Sequence, residues 1–95
     1  MSIYMIIDSR VKDQDTYQEY IDRVAPIIVT FGGRYHVRGG KIRALGSWNP
    51  ERIIVLEFPS EERLTECLTS PEYAEIAPLR LAGADAQAII VEGCE

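Results

Sequence analysis

Residues 2–11, SIYMIIDSRV, carry two interleaved sets: Ile3, Met5, Ile7, Ser9 and Val11, and Tyr4, Ile6, Asp8 and Arg10. Both sets are partly apolar, which predicts a central strand covered on both faces. Asp13 and Asp15 follow, residues suited to cap a helix and to sit near its positive end. Tyr17, Tyr20, Ile21, Val24, Ile28 and Phe31 then recur at spacings of three and four, the stripe of an amphipathic helix lying on a sheet. Pro26 removes a backbone donor inside it and predicts a kink or local break. Gly32 stands where a left-handed terminator belongs.

Two Gly-Gly pairs bracket Arg34-Tyr35-His36-Val37-Arg38. The alternation reads as a strand, with Tyr35 and Val37 on one face and Arg34, His36 and Arg38 on the other. Residues 41–48 resume an extended pattern, and Asn49-Pro50 is a turn dipeptide. Residues 52–58, RIIVLEF, form the clearest strand and stop at Pro59. Either 34–38 or 42–48 can pair with it. Ser60 caps a short helix, and Ser70-Pro71-Glu72 starts another, which Pro78 and Gly83 close. Residues 85–92, DAQAIIVE, form the last strand.

The order β-α-β-β-α-β predicts an α+β fold, a ferredoxin-like sandwich with one sheet and its helices on one face. Residues 1–95 form a single domain, too short for a second core. The first and third strands are expected as parallel neighbours, with Ile3 and Ile7 on the face of Ile54, Leu56 and Phe58. With strand ends aligned, Asp8 and Glu57 share one end. The opposite face, with Tyr4, Ile6, Ile53, Val55, Ala88 and Ile90, is too apolar for water and predicts a homodimer.

Charge narrows the partners. Fifteen acids against ten bases give a net charge of −5, which argues against nucleic acid or an anionic membrane. No apolar run approaches a membrane span, and no secretory signal is visible. Cys67 and Cys94 match no metal-ligand or redox spacing, so they are expected as free thiols in a reducing cytoplasm. No cofactor motif and no metal cluster stand out.

The candidate chemistry is a mixed-charge face. Arg34 and Arg38 can converge on a small carboxylate or phosphate through their guanidinium forks. His36, Asp8 and Glu57 are candidate catalytic groups able to move a proton or orient those arginines. Arg80 can reach the site or cap its own helix. Trp48 suits an interface or a ligand platform. The same charges can equally pair with one another as structural ion pairs or face solvent.

Tyr17-x-x-Tyr20, Gly32-Gly33-Arg34, Arg38-Gly39-Gly40, Trp48-x-Pro50-x-Arg52, Glu57-Phe58-Pro59-Ser60, Ser70-Pro71-Glu72-Tyr73 and Leu79-Arg80 follow in order along nearly the whole chain. Together they resemble the family known as domain of unknown function 1330. The resemblance implies a ferredoxin-like fold paired into a dimeric α+β barrel and supplies no reaction. Fold alone does not carry function. Two expectations stand: a small dimeric enzyme acting without a cofactor on a compact anionic molecule, or a non-catalytic dimeric ligand-binding or interaction scaffold.

Overall fold

The structure, a computed structural model, describes residues 1–94; Glu95, the end of the expected domain, lies outside them. Strand β1 (Ile3–Val11) leads into helix α1 (Gln14–Thr30), then β2 (Arg34–Arg38) and β3 (Arg52–Phe58). Helices α2 (Glu61–Leu68) and α3 (Pro71–Gly83) follow, and β4 (Ala84–Glu92) ends the chain's regular structure. The sheet order is β2-β3-β1-β4, and every neighbouring pair is antiparallel. This is the expected α+β, ferredoxin-like arrangement.

The helix signals act where the sequence puts them. The Asp13 carboxylate accepts from the Thr16 amide and caps α1. Ser60 and Ser70 cap α2 and α3 in the same way, through the amides of Arg63 and Tyr73. Gly32 takes φ 85° just beyond α1, the left-handed conformation that glycine adopts without a Cβ penalty. Pro26 and Pro78 break neither helix; both lie inside continuous α-helix. Both are exposed, so the ring meets solvent and only one backbone donor is lost.

The core lies between the helices and one sheet face. Phe58, Leu64, Cys67 and Ile76 are at most 1% exposed. Burying each large apolar side chain stabilises the fold by roughly 1.5–3 kcal/mol. Helices α1 and α3 meet where no side chain fits: a Cβ on Gly83 would lie 2.8 Å from the Tyr17 amide nitrogen. The Gly83 carbonyl accepts from the Lys12 and Asp13 amides at 2.8 and 3.1 Å, tying the end of α3 to the start of α1.

Several expectations are corrected. Strands β1 and β3 are neighbours but antiparallel. Helix α1 carries the chain from β1 to β2, and the β2–β3 reversal then turns β3 against β1. Ile3 and Ile7 still share a face with Phe58 and Ile54, because directly opposed residues point the same way. Asp8, however, faces Ile53, and Glu57 faces Tyr4, so the two acids stand at opposite ends. Residues 34–38 pair with β3, while 41–48 form no strand. Antiparallel register also puts Ile89 and Val91, not Ala88 and Ile90, on the helix-free face with Ile6 and Tyr4.

Strand β2 contains the most consequential departure. Its register slips between Tyr35 and Val37, so His36 sits in a bulge. Past the slip, Arg38 stands opposite Ile54 on the helix side, as Tyr35 stands opposite Leu56. Arg34 stands opposite Glu57 on the other face. One extra residue has reversed the alternation, as bulges do.

Candidate functional site

The helix-free face does not gather the expected site. Glu57 holds the β2 end: His36 Nε2 lies 2.7 Å and Arg34 Nη2 3.9 Å from its Oε1. A hydrogen bond from Ser2, then one from His36, holds the Glu57 carboxyl below its usual range. Asp8 works at the other end, where its Oδ2 accepts from Trp48 Nε1 at 3.3 Å. Trp48 is 58% exposed on the irregular 39–51 segment. Arg34, His36 and Glu57 are thus together, Asp8 and Trp48 are together, and Arg38 and Arg80 belong to neither group.

Arg38 and Arg80 meet instead on the helix side. A cavity between α1 and the sheet is lined by Ser9, Tyr17, Tyr20, Tyr35, Arg38, Arg52 and Arg80 among apolar residues. The Arg38 guanidinium lies 4.6 Å from the Tyr35 ring centroid, and the Arg52 guanidinium 5.6 Å from that of Tyr17. Stacking of this kind holds a guanidinium in place while leaving its N–H groups free to donate. Among the described residues no aspartate or glutamate lines the cavity. Among the described residues, none of the three arginines pairs with a carboxylate, whereas Arg23, Arg34, Arg63 and Lys12 all do.

Two polar atoms at this end lack partners. Ser9 Oγ and Arg52 Nε are buried without a hydrogen bond. Ser9 and Arg52 face each other directly across β1 and β3, so the two groups lie side by side on the cavity floor. A buried donor left unsatisfied costs about 1–3 kcal/mol, and each such group calls for an explanation. Gly39 contributes by having no side chain. A Cβ there would fall on the Arg52 guanidinium, and its φ of 75° favours glycine in any case.

The phenols set the chemistry. Burial first, and then neighbouring Tyr73, pushes the Tyr20 hydroxyl far above the usual phenol range. The Tyr20 and Tyr73 hydroxyl oxygens lie 3.0 Å apart. Burial also raises Tyr35, against the opposing pull of Arg38. Both phenols stay protonated at neutral pH and serve as neutral hydrogen-bond donors. The cleft offers fixed cations and neutral donors, a setting that favours negative charge on whatever enters.

Arg52, Ser9, Tyr17, Tyr20 and Tyr35 are members of this constellation that the sequence pattern left unmarked as site residues. The signal was available for two of them. Arg52 precedes Ile54, Leu56 and Phe58 on the core-facing parity of β3, and Ser9 follows Ile3, Met5 and Ile7 on that of β1. Polar residues in a core register are the observation worth following.

The fold recurs among solved structures. A protein of unknown function from Rhodopseudomonas palustris superposes with a TM-score of 0.84 at 19% identity, covering 99% of this chain and 83% of its own. A dimeric ferredoxin-like protein of unknown function from Jannaschia sp. CCS1 gives 0.77 at 10% identity over 98% and 100%. SnoaB, a cofactor-independent oxygenase from Streptomyces nogalater, gives 0.69 at 12% identity over 99% and 94%. At these identities the likeness concerns the fold. No curated protein matches the chain. The model of one family spans residues 2–94, and the protein therefore belongs to the family described as domain of unknown function (DUF1330).

Proposed function

We propose that the protein is a homodimer that binds a small organic anion, a carboxylate or a phosphate, in the cleft between helix layer and sheet. The observation that carries this reading is the trio Arg38, Arg52 and Arg80 around one cavity, with no carboxylate lining it among the described residues. What supports it is their convergence: three arginines without an ion pair among the described residues line one cavity, where their charge can meet a charge from outside. The enzymatic form of the reading is a cofactor-independent reaction that builds negative charge on the bound molecule. The likeness to SnoaB gives that form a precedent in fold only. The other form is a non-catalytic binder, which needs the same cleft. Cys67 and Cys94 are free thiols, which suits the reducing cytoplasm we assign to it.

Self-association rests on the helix-free face. Ile89, Val91 and Val37 there are 60%, 45% and 39% exposed. A second copy of the same face is the simplest cover, and two neighbours of this fold are described as dimeric. Light scattering at micromolar concentration is expected to give twice the chain mass; a strict monomer contradicts the dimer.

The binding claim is tested by calorimetry with benzoate and inorganic phosphate on the parent and on Arg80→Gln. At least one anion is expected to bind, and Arg80→Gln to bind it at least tenfold more weakly. If the parent binds neither, or the variant binds as the parent does, the reading fails.

A further inference from the structure

The arginine-lined cavity does not end at Arg80. A second cavity of about 330 Å³ continues from it, and both are lined by Ile7, Tyr20, Ile28, Leu56, Arg80 and Ala86. Beyond that shared wall the character changes. The larger cavity is lined by Met5, Phe58, Leu64 and Leu68, with the paired hydroxyls of Tyr20 and Tyr73 among its few polar groups. Among the described residues Arg80 is the only charged one on its wall. Cations stand at one end of a continuous space and hydrocarbon at the other.

The space exists because of β4. On the helix side, Ala84, Ala86 and Ala88 stand opposite Val11, Ser9 and Ile7. A row of methyl groups replaces the large side chains that β3 presents on the same face, where Ile54, Leu56 and Phe58 are buried. Ala86 and Ala88 are exposed, so the larger cavity opens beside β4. Close-packed interiors rarely leave such a volume, and ligand pockets begin at roughly 300 Å³.

Resting on the anion-binding reading, we infer that the ligand is an amphiphilic monocarboxylate: a carboxylate beside Arg52, Ser9 and Arg80, and an apolar acyl or aryl body along the alanine row of β4. The carboxylate accepts from Ser9 Oγ and Arg52 Nε, the buried partnerless atoms at this cavity. The apolar body covers hydrocarbon that otherwise meets water. A purely polar anion, such as a phosphate or a short hydroxy acid, fills the first end and leaves the second wet. The class is set by the two ends, cations at one and hydrocarbon at the other.

The test is a titration of the full chain with acetate, butyrate, hexanoate and octanoate. Each buried methylene contributes about 0.8 kcal/mol, so affinity is expected to rise roughly fourfold per methylene until the cavity is full. Ala88→Leu, which places four carbons where one stands, is expected to end that rise at a shorter chain length. Circular dichroism and thermal melting verify that the variant folds. Octanoate binding no tighter than butyrate to the parent overturns the amphiphile inference, yet leaves the anion-binding reading intact. No binding by any member, together with none by phosphate, overturns both. An equal rise with chain length in Ala88→Leu places the acyl chain elsewhere and also overturns the inference.

Discussion

Arg34 and Arg38 lie four residues apart on one short strand, yet they have opposite fates. Arg34 is on the helix-free face, exposed, with Glu57 3.9 Å away. Arg38, also exposed, is on the helix side, stacked on Tyr35, and lines a cavity with no carboxylate among the described residues. The bulge at His36 separates them. On the outer surfaces Lys12, Arg23, Arg34 and Arg63 have acid partners, while Arg10 donates to the Asn49 carbonyl; among the described residues none of the three cleft arginines has an acid partner. A paired surface arginine contributes about 0–1 kcal/mol to stability. A buried donor without a partner, as Arg52 Nε is, costs about 1–3 kcal/mol.

Changing one arginine of each kind sharpens the contrast most. Arg52→Met is expected to weaken carboxylate binding by about ten- to a hundredfold, the loss of one charge-assisted contact. The same change should stabilise the ligand-free protein by about 1 kcal/mol in urea melts, since it removes a buried donor without a partner. Arg34→Met is expected to leave affinity within about twofold and to gain no stability. If Arg52→Met is destabilising and binds normally, the division between the two sets collapses.

Gly39 comes next in size. Gly39→Ala forces a Cβ into the left-handed region and into the space of the Arg52 guanidinium. A loss of about 1–2 kcal/mol is expected from the backbone alone, together with weaker anion binding as Arg52 is displaced. The outer face has no counterpart; Gly46, also at positive φ, has nothing within 4 Å of its Cβ position, so Gly46→Ala strains the backbone and spares the cleft. A smaller effect is expected for Tyr73→Phe. It strips the Tyr20 hydroxyl of its partner and should cost about 0.5–1.5 kcal/mol by chemical denaturation. An unchanged midpoint would mean that the hydroxyl pair is not formed in solution.

The outer face should respond to acid where the cleft does not. The Glu57 carboxyl is held below its usual range in the folded chain, so its contribution is fully present above the unfolded value and is lost as pH falls through the folded one. Stability of the parent relative to Glu57→Gln is therefore expected to shrink below about pH 4.5, the ordinary value for this group. Tyr20 and Tyr35 shift upward, away from this range, and should give no acid response. A parent–variant difference that stays constant from pH 6 to pH 3 would contradict the assigned direction.

Periodicity and capping made most of the fold legible. Asp13, Ser60, Ser70 and Gly32 mark helix ends that the structure reproduces. Strand direction and parity were harder. The antiparallel β1–β3 pairing follows from counting reversals, which residue patterns do not encode. The parity of Ala88 and Ile90 depended on register, where one residue exchanges the two faces. The bulge at His36 had no signal within RYHVR itself, because alternation is the pattern a bulge interrupts. Arg38 and Arg80 were visible as candidates, but not their common cavity, which depends on α3 and β2 approaching the same part of the sheet. Arg52 was hidden by its position at the head of an apolar strand. The alanine row of β4 was readable as alternation, yet its meaning, space left open, appears only against the helices.

The most direct measurement is a crystal structure of the protein with 6-bromohexanoate at saturating concentration, using the bromine's anomalous signal to locate the chain end. The expected bromine position is in the larger cavity, near Leu64, Leu68 and Ala88, with carboxylate density beside Arg52 and Ser9. A bromine on the helix-free face near Asp8 and Trp48, or a cleft without ligand density at saturation, would contradict the account.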